Sequence, residues 1–401
     1  MSSTRLRDHR AWTKVVAVVA LIAAALAMSS CSRYSSDVKA TGQFADLINP
    51  AITLSDDGGK PLDKDAVGIQ PGLPIQVKST EGALTGVTID KADGTPIKGE
   101  FSDDGATWTS TEPFGFGKTY TVQAEAVGVG GKTTSTQQFT TKEPDNVTNA
   151  SIMPNEKVTG VATTIGVRFD EAIPDRKKAQ DAIKITTDPG VQGAFHWISD
   201  SEVRWRPEHF WKPGTKINVA VNIYGIDLGD GLYGADNASY SFEIGRDLEM
   251  FADDNTKTVV VKENGKVIKE MPTSMGEPAN PTNNGIYIIG DRVPHIIMDS
   301  STYGVPVNSP GGYKTDVDNA TQMAYNGIYL HSAPWSLWAQ GNTDTSHGCL
   351  NLSPDDALWV RENTLRGDPI TVTNTVGPEL PWDDGLGDWN MPWAQWAKGN
   401  A

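Results

Sequence analysis

Short runs of Val, Ile, Thr, Tyr and Trp recur along most of the chain, separated by polar segments with Gly, Pro, Asn or Asp. That period-2 texture predicts many short strands and few long helices. Between residues 46 and 142 strands are predicted around Pro74–Val77, Gly86–Ile89 and Thr119–Val122, with turns at Asp93-Gly94, Asp104-Gly105 and Gly130-Gly131 and Trp108 in the core. Residues 143–245 repeat the pattern, with strands at Thr164–Phe169, Glu202–Trp205 and Ile217–Val221. Both stretches have the size and turn spacing of an immunoglobulin-like β-sandwich, though neither has the Cys–Trp–Cys core of an antibody domain. From residue 246 the texture changes. Thr258–Val261 and Val267-Ile268 flank Glu263-Asn264-Gly265-Lys266, a hairpin signal, and strands follow at Gly285–Ile289 and Gly327–Leu330.

The N-terminus breaks this pattern. Arg5, Arg7, Arg10 and Lys14 precede an unbroken apolar run of 14 residues, Val15 to Met28. That is short for a membrane span and suits a signal sequence. Met28-Ser29-Ser30-Cys31 follows at once and is similar to a bacterial lipobox, which implies a lipidated Cys31, a signal peptide over 1–30 and a polar tether over 31–45. An ordinary secretory signal cleaved near Ser30 and an uncleaved anchor are the alternatives. All three place the rest of the chain outside the cytoplasm.

Composition narrows the chemistry. The formal net charge is −16, which argues against a general nucleic-acid binder. There are only two cysteines, Cys31 and Cys349, too few for a disulfide scaffold. Neither sandwich module carries a catalytic constellation. His196 and His209 lie among aromatics and are expected to be packed. Asp170, Glu171, Asp227 and Asp230 lack the spacing of a calcium loop and are expected in solvated turns. No metal or cofactor is expected.

Cys349 stands in Thr345-Ser346-His347-Gly348-Cys349-Leu350-Asn351, 18 residues after His331. A thiol must lose its proton to act as a nucleophile, a histidine can accept and return it, and main-chain N–H groups can hold an oxyanion. Gly348 allows the backbone to approach a reacting carbonyl. A buried inert cysteine is the competing possibility, but a Gly-preceded Cys in a His-containing loop of an exported chain favours a nucleophile.

His331-Ser332-Ala333-Pro334-Trp335, with Ser346-His347-Gly348-Cys349, resembles the L,D-transpeptidases with a YkuD catalytic domain, and in particular the mycobacterial type. Ser301–Gly304, Gly311–Tyr313 and the order of segments resemble it too. The resemblance implies a mainly β chain: two Ig-like β-sandwich modules (46–142 and 143–245), a β-rich YkuD-type catalytic domain (246–375) and a Trp-rich tail (376–401). It implies that Cys349 attacks a tetrapeptide stem of peptidoglycan, with His331 as base oriented by the Ser332 carbonyl, and His347 beside the thiolate. Tyr313 and the N–H groups of Gly348 and Cys349 would form the oxyanion hole. Met298 and Tyr303 would lie on a lid over residues 293–315 hinged near Gly311-Gly312, and Trp335, Ser346 and Asn351 would meet substrate. Asn351 stands where many relatives outside this branch carry Arg, so a charge for a substrate carboxylate is missing. Carbapenems are implied inhibitors, and a lipid anchor the membrane partner. An L,D-carboxypeptidase that lets water resolve the thioester, and a non-catalytic cell-wall-binding lipoprotein, are the alternatives. The tail's Trp382, Trp389, Trp393 and Trp396 are expected to pack against neighbouring domains rather than form a sugar platform.

Overall fold

The computed structural model describes residues 41–42, 45–91, 94–309, 312–384 and 386–401. Cys31, the signal segment, the start of the tether, Asp93 and the Pro310-Gly311 pair lie outside the described residues, as does the side chain of Tyr303.

The chain divides into two compact units. The first holds two four-stranded sheets. One is ordered Ala51–Ser55, Gln76–Thr80, Thr107–Ser110, Gly99–Phe101, and the other Ala66–Ile69, Gly131–Thr141, Thr119–Gly128, Gly82–Asp90. Alternation decides the faces: Tyr120, Val122, Ala124 and Ala126 are buried while the residues between them are not, as a strand's period of two requires. Trp108 is buried with Leu54, Val77 and Phe139.

The second unit takes residues 141–401 together with 70–73 and 113–117. It begins with another pair of four-stranded sheets around a core that includes Val167, Phe169, Trp197, Val203 and Val219. His196 is buried between the rings of Trp382 and Trp396, at centroid distances of 5.3 and 5.2 Å. His209 differs from expectation: it is exposed, because it sits in a bend just beyond the strand Glu202–Pro207 and the neighbouring Trp211 fills the core instead. Asp170 accepts hydrogen bonds from Thr148 Oγ1 (2.7 Å) and the Asn149 N–H (2.8 Å), closing a loop.

The following strands are β1 Leu248–Asp253, β2 Thr258–Glu263, β3 Lys266–Pro272, β4 Gly285–Ile288, β5 Arg292–Asp299, β6 Lys314–Gln322, β7 Tyr329–Ser332, β8 Leu350–Leu352 and β9 Pro369–Thr373, with helix α1 over Pro354–Asn363. They form a five-stranded sheet, β3-β2-β1-β9-β4, and a four-stranded sheet, β5-β6-β7-β8. A shared core of Met250, Val259, Val261, Leu330, Leu350, Leu352, Ala357, Val360 and Val372 lies between them. Helix α1 starts on a Ser353 cap that accepts from the Asp356 N–H, with Pro354 in its first turn, a standard start signal.

The C-terminal tail is bonded to both the preceding sandwich and the β1–β9 region. Trp389 Nε1 donates to Ala162 O at 2.7 Å and Trp396 Nε1 to Ala194 O at 2.9 Å, while Asn390 brackets Ile286 through its N–H and carbonyl. Arg206 is enclosed by the rings of Trp389, Trp393 and Trp396, with its guanidinium 4.6, 5.6 and 4.6 Å from their centroids. The buried Asp388 carboxylate binds Arg204 at 2.9 Å and accepts from Thr164 Oγ1 at 2.6 Å.

Candidate active site

Strand β7 runs parallel to β8, with His331 opposite Asn351 and Leu330 opposite Leu350. Side chains alternate across a strand, so Leu330 and Leu350 point into the shared core while His331 and Asn351 face the other way. Cys349 sits in the bend immediately before β8 and lines the same cleft as His331 and Asn351. The register of two three- to four-residue strands thus brings together groups 18 positions apart in sequence.

Both groups are buried: His331 is 4% and Cys349 7% exposed. The His331 Nδ1 lies 3.0 Å from the Ser332 carbonyl oxygen. A carbonyl can only accept, so Nδ1 carries the proton and Nε2 is left as the basic nitrogen. Burial holds the imidazole below its ordinary value, against the pull of that carbonyl. Burial likewise pushes the Cys349 thiol up to about 11, with the Tyr329 backbone acting the other way. The apolar wall responsible includes Met298, Val317, Ala320 and Tyr329. The resting pair is therefore neutral thiol and neutral imidazole, and the thiol is 3.6 Å from the Gly327 carbonyl oxygen.

A cleft of about 250 Å³ opens on these groups. Of the expected site residues it is lined by Met298, Tyr313, His331, Trp335, Ser346, His347, Cys349 and Asn351, and also by Thr315, Val317 and Thr345, which sequence reasoning passed over. No Lys, Arg, Asp or Glu is among these lining residues. His347 is exposed, its ring 5.4 Å from that of Tyr313. The Trp335 ring is 6.1 Å from that of His331. Met298 is on β5, and Tyr313 immediately precedes β6. The Tyr313 N–H donates to Ser300 Oγ at 2.9 Å and its carbonyl accepts from the Ser300 N–H at 3.0 Å.

The loop before Cys349 is held by its own polar groups. Ser346 Oγ accepts from the Gly348 N–H at 3.1 Å and donates to the Cys349 carbonyl at 2.6 Å. Asn351 Nδ2 donates to Ser336 Oγ at 3.2 Å. The Ser346 hydroxyl, the Asn351 amide nitrogen and the Gly348 N–H are thus each hydrogen-bonded within the protein, while Ser346 and Asn351 also line the cleft. Gly348 itself adopts φ +115°, a region that glycine enters without steric cost.

One residue that sequence reasoning missed controls this loop. Thr282, fully buried, donates from Oγ1 to the Gly348 carbonyl at 2.8 Å and accepts from the Gly276 N–H at 3.0 Å. A trans peptide holds its carbonyl and the next N–H in one plane, pointing in opposite directions. Holding the Gly348 carbonyl therefore aims the Cys349 N–H. Nothing in the Pro-Thr-Asn-Asn segment around Thr282 signals this, since its partner is 66 residues away.

Residues 249–372 match the L,D-transpeptidase catalytic domain family, YkuD, and residues 66–227 match the bacterial Ig domain family. The chain is 50% identical to L,D-transpeptidase 2 of Mycobacterium tuberculosis over 99% of its length and 97% of that protein. It is 32% identical to L,D-transpeptidase 5 of the same species, covering 85% of this chain and 76% of the other. A solved structure of the L,D-transpeptidase LdtMt1 in complex with imipenem aligns over 56% of this chain and 98% of its own, at 36% identity and a TM-score of 0.49. A parallel strand pair that presents a buried Cys and His, within a region matching the YkuD domain and a chain half identical to a full-length relative, leaves one conclusion: this protein belongs to the L,D-transpeptidase family.

Proposed function

We propose that this peptidoglycan L,D-transpeptidase uses Cys349 as its nucleophile and forms cross-links between two diaminopimelate residues. The observation that carries the reading is the buried His331–Cys349 pair, on β7 and in the bend before β8, lining one cleft, with the imidazole tautomer set by the Ser332 carbonyl. His331 Nε2 takes the thiol proton as sulfur attacks the carbonyl at the L-centre of diaminopimelate in a tetrapeptide stem. The oxyanion is held by the Cys349 N–H and the Tyr313 hydroxyl, the Gly348 N–H joining only if it leaves Ser346. Collapse expels the terminal D-Ala, whose amine takes the proton from His331, and a thioester remains. The amine of a second stem's diaminopimelate then attacks the thioester, loses its proton to His331, and returns the thiol. Met298 and Trp335 contribute apolar walls, and exclusion of water by the cleft favours the amine over hydrolysis.

The neutral lining of the cleft supports recognition of the stem through neutral hydrogen bonds and apolar contact rather than through an ion pair. A thiol built to form a thioester also opens a strained β-lactam, so carbapenems acylate Cys349 in this reading. The Met28-Ser29-Ser30-Cys31 segment supports lipidation at Cys31 and attachment to the outer face of the membrane. Detergent-phase partitioning of wild type but not of Cys31→Ala is expected.

Incubation with disaccharide-tetrapeptide, followed by mass spectrometry, tests the main reading. A dimer joined through two diaminopimelate residues, absent with Cys349→Ala, is expected. Release of only tripeptide and D-Ala, at any acceptor concentration, would replace transfer by hydrolysis.

A further inference from the structure

The loop after β7 has a property that the chemistry at Cys349 does not use. Residues 333–342 coil through a 3₁₀ turn at Pro334–Ser336 and the turns that follow it. Ala333, Ser336, Ala339 and Gln340 face inward and are buried. Trp335, Leu337 and Trp338 face outward, with 52%, 52% and 69% of their surfaces exposed.

This exposure is not a consequence of looseness. Ser336 Oγ donates to Ala333 O at 3.1 Å, Gln340 Nε2 donates to the same carbonyl at 3.2 Å, and Asn351 Nδ2 donates to Ser336 Oγ. The Gly341 N–H donates to Thr273 O at 2.9 Å, and Asn342 Nδ2 donates to Trp338 O at 3.3 Å. The backbone is thus pinned from inside while three large apolar side chains are held in water. A single exposed apolar side chain is ordinary, but three of them on one pinned loop mark a surface that is covered in use. Pinning the backbone that carries the indoles lowers the entropy lost when they bind.

The position of this surface indicates what covers it. Trp335 both lines the cleft and contributes to the exposed group, so the group continues the cleft outward. A cleft of about 250 Å³ is at the small end of ligand sites, typically about 300–1,000 Å³. It holds the reacting part of a stem peptide and leaves the rest of the substrate outside. A stem is attached to an uncharged sugar ring, and the C–H face of a pyranose complements the flat, apolar face of an indole.

We propose that Leu337 and Trp338 form a subsite for a sugar ring of the disaccharide that carries the stem, with Trp335 joining it to the cleft. The inference rests on the transpeptidase reading of that cleft. The test compares kcat/KM for disaccharide-tetrapeptide and for the bare tetrapeptide, using the whole protein and its Trp338→Ala, Leu337→Ser and Trp338→Phe variants. Wild type turning over neither substrate would overturn the transpeptidase reading and, with it, this subsite. If wild type turns over the bare peptide, the subsite is tested separately.

Trp338→Ala is expected to leave bare tetrapeptide turnover within about twofold. It should reduce kcat/KM for the disaccharide substrate by about 3- to 10-fold, the scale of one aromatic stacking contact, chiefly through KM. Leu337→Ser should act in the same sense, and Trp338→Phe should recover most of the loss. Equal losses on both substrates, or no loss on the disaccharide, would overturn the subsite. Unchanged discrimination with loss of self-association in sedimentation, or of binding to phosphatidylglycerol vesicles, would assign the surface to a second copy or to the membrane instead.

Discussion

Replacing Thr282 by Val keeps the shape of the side chain and deletes only its hydroxyl. Two buried main-chain groups then lose their partners: the Gly348 carbonyl, now 2.8 Å from Oγ1, and the Gly276 N–H, now 3.0 Å away. Leaving a buried polar group unsatisfied costs about 1–3 kcal/mol, so the fold should lose about 2–6 kcal/mol. That is less than most of the ~5–15 kcal/mol range of domain stability, and the variant should still fold. The catalytic effect is larger than a stability loss predicts. Once the Gly348 carbonyl is free, its peptide plane can turn and the Cys349 N–H no longer points at a fixed place. Complete loss of one oxyanion donor costs about 10²–10³ in rate, and partial loss of orientation should cost at least ~10-fold, equivalent to about 1.4 kcal/mol. Two rates separate the possibilities. Acylation by substrate needs the oxyanion hole, whereas alkylation of the thiol by iodoacetamide does not. Thr282→Val should slow acylation at least ~10-fold with alkylation nearly unchanged, and Thr282→Ser, which keeps the hydroxyl, should behave as wild type. Parallel loss of both rates, or wild-type acylation by a folded Thr282→Val, would refute this role.

Because burial lowers the His331 pKa, its base form persists further into acid than that of a free imidazole. The rising limb of kcat/KM against pH should therefore lie below 6.5, and a limb at or above 6.5 would contradict the buried neutral imidazole. Asp388→Ala removes one of the carboxylates paired with the buried Arg204 guanidinium; urea denaturation should report a loss of about 3–5 kcal/mol, the usual cost of breaking a buried pair. Asp368 is pushed up to about 7 by burial, from an ordinary 3.8. Its folded-state pKa exceeds its unfolded one, so its contribution to stability is complete below the unfolded value and is lost as pH rises through 7. Wild type should lose stability between about pH 4 and 7, the span between the unfolded and folded values, and Asp368→Asn, which does not titrate, should lose less over the same range.

Much of this protein was readable before folding was considered. Alternating residues specify strands such as Thr119–Gly128 because only one face is buried, and Asn264-Gly265 specifies its hairpin because the turn needs positive φ, here 50° and 75°. The Ser346–Cys349 segment could be singled out because a nucleophile, a histidine and a glycine lie within four residues. Contacts across long sequence separations were not readable. The pairing of His331 with Asn351 depends on strand register, and the Thr282–Gly348 bond depends on where two loops meet in three dimensions. The internal bonds of Ser346 and Asn351 were not readable for a related reason. A polar residue beside a nucleophile invites a substrate role, but in a buried loop it first satisfies the main chain, because unmet donors and acceptors there are costly. The tail shows the same division. Its tryptophans could be expected to pack, whereas the enclosure of Arg206 by three of them and the pairing of Asp388 with Arg204 exist only once residues about 180 positions apart share one interior. Local pattern determined the elements and the chemistry they could carry. Tertiary structure decided which polar groups were already engaged and which remained free to act on a substrate.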